Sequence, residues 1–181
     1  MELSATAYVI LGMVRWEPRS GYEIKAAVDG TTRFFWAASY GQIYPELKRL
    51  SEAGLIAGSD SPTGGRRRTV YEITADGEAE LTAWLRQPPQ TSEMREEGLL
   101  KLFFAGALPP GEAVEIVRAM RADRLATNAR LRAIESAIEG TVEDPFPMIV
   151  LRSGIEFTQW FADWCERTEA EILAAAKKGR G

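Results

Sequence analysis

The chain has 181 residues, of which 45% are hydrophobic and 27% charged, and this is the composition of a folded globular protein. It contains no histidine and one cysteine, Cys165, so it lacks the ligands of a Cys/His zinc site and the imidazole base of Ser-His-Asp or Cys-His catalysis. Carboxylate metal sites and Lys or Tyr chemistry remain open, but the sequence shows no phosphate loop and no metal-ligand cluster, and we expect no metal, no cofactor and no enzymatic activity. Because no secretion signal and no membrane-spanning apolar run occur, we expect a cytoplasmic protein that does not enter a membrane.

Three helices are predicted at the start of the chain. Apolar residues recur at helical spacing after Ser4, Ser20 and Ser39, and serine is a favoured N-cap residue. A proline at position 18 ends the first helix, and glycines at positions 30 and 54 end the other two. The residues predicted to face inward are Leu3, Ala7, Ile10, Leu11 and Val14, then Ile24, Ala27 and Val28, and finally Ile43, Leu47 and Leu50.

Two short strands and a fourth helix should follow. Residues 55–59 and 69–73 are predicted strands, and the breaker-rich residues 61–65 between them are a predicted turn. Thr74 should begin the next helix, with Leu81, Trp84 and Leu85 facing inward. Three helices followed by a β-hairpin are typical of a winged helix, in which the third helix enters the major groove of DNA and the hairpin reaches the backbone.

The outward face of the third helix suits DNA. Gln42 can pair with adenine, Lys48 or Arg49 can reach guanine or phosphate, and Tyr44 can donate its hydroxyl to a phosphate oxygen. Three simpler interpretations remain: the polar face is only solvated, the tyrosines pack in the protein, or Gln42 serves only as capping partner of the N-cap serine.

Pro45 is unfavourable inside this helix, because proline removes a hydrogen bond and crowds the previous turn. Either the helix begins later than Ser39 or its first turn is distorted.

The hairpin provides the second indication of DNA binding. Residues 61–71 carry three arginines and no acidic residue, in a chain whose net charge is −4. Phosphate binding needs such local positive charge, although a solvated arginine turn is the simpler interpretation. The complete set of predicted DNA-binding residues is Lys25, Ser39, Tyr40, Gly41, Gln42, Tyr44, Lys48, Arg49, Arg66, Arg67 and Arg68.

The first 86 residues resemble the winged-helix domain of the PadR-like transcriptional regulators. The resemblance is carried by the runs 20–24 (SGYEI), 39–47 (SYGQIYPEL) and 71–74 (YEIT), and by Arg67, Arg68 and Gly77. It extends more weakly into residues 99–104 (LLKLFF), which are similar to the C-terminal region of the longer members. It implies a dimeric, cytoplasmic DNA-binding regulator, most often a repressor, which a small aromatic effector releases from DNA.

The C-terminal part is predicted to be a helical dimerisation arm. We place a winged-helix DNA-binding domain at residues 1–87 and a dimerisation domain, with a possible effector role, at 92–178, the boundary lying near Pro88 to Ser92. Long helices are expected over about 111–139 and 147–177. Their apolar stripes need a partner surface, which a second chain would supply, and a two-fold dimer suits a pseudo-palindromic operator in double-stranded DNA. The predicted stripes are Ala113, Val117, Met120, Arg124, Thr127, Leu131, Ile134 and Ile138, and Phe157, Trp160, Phe161, Trp164, Thr168 and Ile172.

Aromatic residues in both parts suggest an effector site. Flat apolar walls suit a small aromatic ligand, but the same residues would equally form the dimer core, and this simpler interpretation is favoured. Cys165 is interpreted as a buried thiol without a redox role. The effector or dimer-core candidates are Trp36, Phe103, Phe157, Trp160, Phe161 and Trp164.

The leading hypothesis is therefore a dimeric, sequence-specific DNA-binding transcriptional regulator. The alternative is a winged helix that binds other proteins without sequence-specific DNA binding.

Overall fold

The computed structural model describes residues 3–63, 66–90, 94–140 and 143–178, with the side chains of residues 61–63, 66 and 67 outside that description. The chain forms two compact units, Met1–Thr91 and Ser92–Gly181, and the predicted linker at 88–92 lies partly outside the described residues. The mainly helical architecture with one small antiparallel sheet confirms the predicted fold class. The elements are α1 Ala5–Trp16, β1 Arg19–Ser20, α2 Gly21–Gly30, α3 Tyr40–Glu52, β2 Ile56–Thr63, β3 Arg66–Ile73, α4 Ala75–Leu85, α5 Glu97–Phe103, α6 Pro110–Ile138 and α7 Pro145–Lys178.

In the first unit, α1 packs against α2, α3, α4 and β3. All three predicted serine caps are confirmed, because Ser4, Ser20 and Ser39 are the N-cap residues of α1, α2 and α3. The Oγ of Ser4, for example, accepts a hydrogen bond from the Ala7 N–H at 3.2 Å. The inward faces are confirmed as well, with Ala27 only partly buried. The first N–H groups of a helix have no carbonyl partner within the helix, and the side-chain oxygen of an N-cap residue can accept a hydrogen bond from one of them.

The sheet is larger than predicted. Strands β2 and β3 run over eight residues each and pair antiparallel, so the turn predicted over 61–65 is wrong for residues 61–63, while Gly64 and Gly65 lie outside the described residues. Pro62 is tolerated because β2 is an edge strand in the order β1-β3-β2, where a missing N–H need not break a ladder. The third strand, β1, pairs Arg19 with Tyr71, and two residues are too few to show strand periodicity in the sequence.

Helix α4 begins after Thr74, as predicted, and buries Leu81. Leu85 was expected to face inward, but it is 67% exposed, because the helix ends there. Trp84 is half-exposed and stacks on Tyr8, with ring centroids 4.5 Å apart. The end of α4 is therefore packed on α1 through the ring of Trp84, and Leu85 takes no part in this contact.

The second unit is built on an antiparallel pair of long helices, with α5 packed on α6. The seam of α6 is confirmed at Ala113, Val117, Met120 and Leu131, whereas its predicted polar members are only partly buried. The buried polar residue at the centre is instead Asn128, which the sequence analysis missed. Its Nδ2 donates to the Ile155 carbonyl at 2.7 Å and to the Thr158 hydroxyl at 2.9 Å, so it joins α6 to α7.

The predicted stripe of α7 is wrong at two positions. Phe157 is 48% and Trp160 55% exposed, while the face against α6 is formed by Ile155, Thr158, Phe161, Ala162 and Cys165. The amide of Asn128 requires the polar side of Thr158 next to it, and this rotates the neighbouring aromatic residues outward. Large aromatic residues therefore lie on a face of α7 that its own unit leaves uncovered.

Gly77 offers a test of the packing between α4 and the start of β2. A Cβ at this position would lie 2.1 Å from the Leu55 carbonyl oxygen, so Gly77→Ala should destabilise the first unit by about 2–3 kcal/mol. The matched control is Gly12→Ala inside α1, where an added Cβ meets no atom within 4 Å, and a gain of about 0.5–1 kcal/mol is expected. Chemical denaturation of the two variants measures both effects, and equal stabilities would contradict the described close approach.

Candidate nucleic-acid interface

Helix α3 presents its polar face to solvent because its apolar face is fully used. Ile43, Leu47 and Leu50 are at most 1% exposed. Gln42 Oε1 accepts hydrogen bonds from the Ser39 N–H at 2.9 Å and the Ser39 hydroxyl at 3.0 Å, so Gln42 is the capping partner in the free protein. To contact a base, Gln42 must give up these two bonds.

Pro45 lies inside α3, which begins directly after Ser39, so the expectation that the helix begins later is wrong. Proline supplies no N–H to the carbonyl of Gly41 four residues earlier. This carbonyl belongs to an exposed residue, where water can satisfy it. The exposed first turn therefore tolerates a proline that a buried helix would not.

Two exposed tyrosines lie side by side on α3. The rings of Tyr40 and Tyr44 are 6.2 Å apart and nearly parallel, and their exposed fractions are 45% and 52%. A Cβ on Gly21, the first residue of α2, would lie 2.9 Å from a ring carbon of Tyr44, so only glycine allows this ring its place. The ammonium of Lys25 lies 5.6 Å from the Tyr40 ring centroid. The start of α2 and the start of α3 therefore form one surface with two hydroxyls.

The described cations of this surface are held in ion pairs. Lys48 lies 3.7 Å from Glu52, and Arg49 donates to Glu46 at 2.9 Å. Lys48 is the more available of the two, because its side chain is 77% exposed and an exposed pair at this distance is weak.

Two further cations pair with carboxylates of α2. Lys25 binds Asp29, which also accepts from Arg33 at 3.0 Å, and these bonds lower the pKa of Asp29. Arg68 binds Glu23. Neither carboxylate was among the predicted site residues, although the i,i+4 spacing of Lys25, Asp29 and Arg33 predicts the ion pairs of Asp29.

Glu23 has the largest pKa shift of this surface. Hydrogen bonds from the Ser20 N–H and from Arg68 hold the pKa of Glu23 down to about 2. A carboxylate whose pKa falls on folding stabilises the native state above its ordinary value near 4.5, and this contribution is lost as the pH falls toward 2. Glu23 is therefore charged at any physiological pH and keeps its hold on Arg68.

The remaining wing residues extend this surface along β3. Arg66 and Arg67 stand in the strand opposite Thr63 and Pro62, and their side chains lie outside the described part of the structure. Tyr22, which was not among the predicted site residues, is 67% exposed at the start of α2. Its place beside Gly21 adds a third exposed tyrosine to the same helix starts.

The aromatic candidates fall into separate groups. The rings of Phe157, Trp160, Phe161 and Trp164 follow one another along α7 at centroid distances of 5.4 to 6.1 Å. The guanidinium of Arg124 lies 4.8 Å from the Phe161 centroid and also binds Glu96. The structure does not group Phe103 with them: it is 82% exposed and meets Phe104 edge-on at 5.0 Å.

Trp36 belongs to the first unit and is 43% exposed. Cys165 is fully buried, and burial raises the pKa of its thiol, which disfavours the reactive thiolate. Within the described ranges, no cluster of His, Cys, Asp and Glu could hold a metal ion. None of the described helices combines the length and apolar character that crossing a bilayer requires.

A serine-capped helix with a polar outer face, followed by an arginine-bearing hairpin, defines a winged-helix protein of the nucleic-acid-binding class. Residues 10–83 match the model of the Transcriptional regulator PadR-like family, and residues 94–172 match the Virulence activator alpha C-term model. Residues 10–83 are thus a PadR-like family domain, and that family consists of transcriptional regulators and not of enzymes.

Similar proteins cover more than nine-tenths of the chain. The Negative transcriptional regulator PadR of Bacillus subtilis is 29% identical over 177 residues, which are 91% of this chain and 96% of that protein. The crystal structure of Bacillus subtilis PadR in complex with operator DNA superposes with a TM-score of 0.86 at 29% identity, covering 93% of this chain and 99% of that one. The structure of the same PadR with p-coumaric acid gives 0.77 at 27% identity, covering 94% and 98%.

Proposed function

We propose that the protein is a cytoplasmic homodimer that binds a pseudo-palindromic operator and represses transcription. The observation that carries this proposal is the exposed polar face of α3, with paired tyrosines at its start and Lys48 further along. PadR from Bacillus subtilis, which is similar over 93% of this chain, was crystallised in complex with operator DNA. The alternative of a protein-binding winged helix has no observation of this kind in its favour.

Each part of the surface has a distinct task in DNA binding. The start of α3 offers free backbone amides and the positive end of the helix dipole to a phosphate, and Gly41 lets the backbone approach. Tyr40 and Tyr44 donate hydroxyls to phosphate oxygens, which sets the orientation but not the sequence preference. Gln42 and Lys48 lie where base edges come within reach, and Arg66 and Arg67 reach the flanking backbone from the wing.

DNA binding is tested by gel shift on the DNA upstream of the protein's own gene, over a salt series. Arg67→Ala should weaken binding to every sequence and lower the salt slope by about one, whereas Lys48→Ala should chiefly relax base preference. Arg152→Ala in the second unit is the matched control, because it removes one exposed cation far along the chain and should change neither quantity. A wild-type protein that shifts no DNA even at low salt would favour the protein-binding alternative.

The uncovered face of α7 supports a dimer. Phe146, Ile149, Val150, Phe157 and Trp160 recur at helical spacing, and all are at least 43% exposed. Leaving such a stripe in water is unfavourable, whereas the same stripe of a second copy would cover it around a two-fold axis. A dimer would also bring two α3 helices to half-sites about 34 Å apart, one turn of DNA.

The dimer is tested by Trp160→Glu, which places a charge in the centre of the stripe. This variant should be monomeric in sedimentation and should lose cooperative operator binding, because a buried unpaired charge is strongly unfavourable. Ala170→Glu, an exposed position of α7 outside the stripe, is the control and should remain dimeric. A dimeric Trp160→Glu protein would exclude this face as the dimer interface.

We further propose that a small aromatic acid lowers the DNA affinity. The aromatic rings that follow one another along α7 supply a suitable apolar wall, and the PadR structure with p-coumaric acid supports the ligand class. Adding p-coumaric acid to the protein–DNA complex should release the DNA and quench tryptophan fluorescence. Hexanoic acid, which lacks a ring, is the control, and equal release by both acids would contradict an aromatic site.

A further inference from the structure

The two carboxylates of α2 hold cations of the DNA-facing surface. Glu23 binds Arg68 of the wing strand, and Asp29 binds both Lys25 and Arg33. The Glu23–Arg68 pair lies at the surface, with both side chains 40% exposed, whereas in the Lys25–Asp29 pair the carboxylate is 39% exposed and the lysine side chain only 12%. A cation held this way must exchange a carboxylate for a phosphate before it can contribute to DNA binding.

We propose that Glu23 and Asp29 act as intramolecular substitutes for DNA phosphate, and that they lower the affinity of the protein for DNA. This inference rests on the proposed function. Arginine binds carboxylate and phosphate with the same planar set of N–H donors, so the two anions compete for Arg68. Exposed ion pairs are weak, and the high local charge of DNA can therefore displace them.

The geometry of the Glu23–Arg68 pair leaves the arginine able to change partner. Glu23 is bonded to the Nη2 group of Arg68, and the Nε is buried without a hydrogen-bond partner among the described residues, so the pair at Nη2 is the contact that a phosphate must replace. Glu23 itself stays in place when the arginine leaves, because it also accepts from the Ser20 N–H at 2.9 Å and the Ser20 hydroxyl at 3.0 Å. Its negative charge then remains beside the wing and opposes the bound phosphate.

The substitution Glu23→Gln distinguishes the charge of Glu23 from its role in capping α2. A glutamine side-chain oxygen can accept the Ser20 N–H as glutamate does, so Glu23→Gln keeps the start of α2 and removes only the charge. Asp29→Asn does the same for the second pair. Glu72→Gln is the matched control, since Glu72 is exposed on β3 and makes no ion pair within the described residues.

The experiment is a binding titration of each variant on a duplex of random sequence and on the upstream DNA, over a salt series. Glu23→Gln should steepen the salt slope by about 0.9 and tighten binding about fivefold to tenfold at about 0.1 M salt on both duplexes, because Arg68 then neutralises a phosphate without losing a partner. Asp29→Asn should act in the same direction, and Glu72→Gln should match the wild type. In an Arg68→Ala background, Glu23→Gln should give no gain.

Three outcomes would overturn the inference. Weaker binding by a folded Glu23→Gln protein would show that the carboxylate only positions Arg68. An unchanged salt slope would show that Arg68 already contacts phosphate without competition, and a gain that persists without Arg68 would show a general effect of charge. If the wild-type protein itself binds neither duplex, the proposed function fails and the inference with it, so the two failures are distinguishable.

Discussion

The geometry of the proposed DNA-binding surface depends on the burial of one apolar stripe of α3. Ile43, Leu47 and Leu50 are packed against α1 and its neighbours, and exposing them would lose roughly 6 kcal/mol at about 2 kcal/mol for each side chain. That loss is comparable to the whole stability of a small domain, so α3 cannot rotate about its axis in the folded protein. The outward direction of Gln42, Tyr44 and Lys48 follows from this packing and not from any contact of their own.

Most helix boundaries and buried faces of the first unit could be predicted from the sequence alone. Serine caps, glycine stops and helical spacing are local properties, and local properties determine where α1, α2 and α3 begin and which face each buries. What it could not indicate is pairing over long separations. Strand β1 is only two residues long and exists because Arg19 and Ser20 lie next to Tyr71 and Val70 of β3. The Glu23–Arg68 pair depends on the same juxtaposition, and therefore stayed hidden.

In the second unit, the spacing of apolar residues in α7 did not decide which side of the helix is buried. Helix α7 carries apolar residues on two sides, and each side alone satisfies the three-and-four spacing of a buried stripe. Asn128 decides between them, because its buried amide needs the Ile155 carbonyl and the Thr158 hydroxyl. Together with the buried apolar residues of the same face, this polar residue of α6 keeps Phe157 and Trp160 outside, and these are residues that a second copy would cover.

The ion pairs explain how a chain of net charge −4 can carry a surface proposed to bind DNA. Acidic residues are not kept away from the DNA-facing surface: Glu23, Asp29, Glu46 and Glu52 each bind a cation there. Because these cations are paired with carboxylates, less positive charge is available to DNA phosphate, and the attraction to every DNA sequence is weakened equally. Contacts to base edges are unaffected. Specificity is a ratio of affinities, so an equal loss on every sequence lowers total affinity and leaves the ratio between operator and other DNA unchanged. The carboxylates beside the wing would therefore set how tightly an acidic winged helix holds any DNA, and the choice of sequence would be left to contacts with base edges.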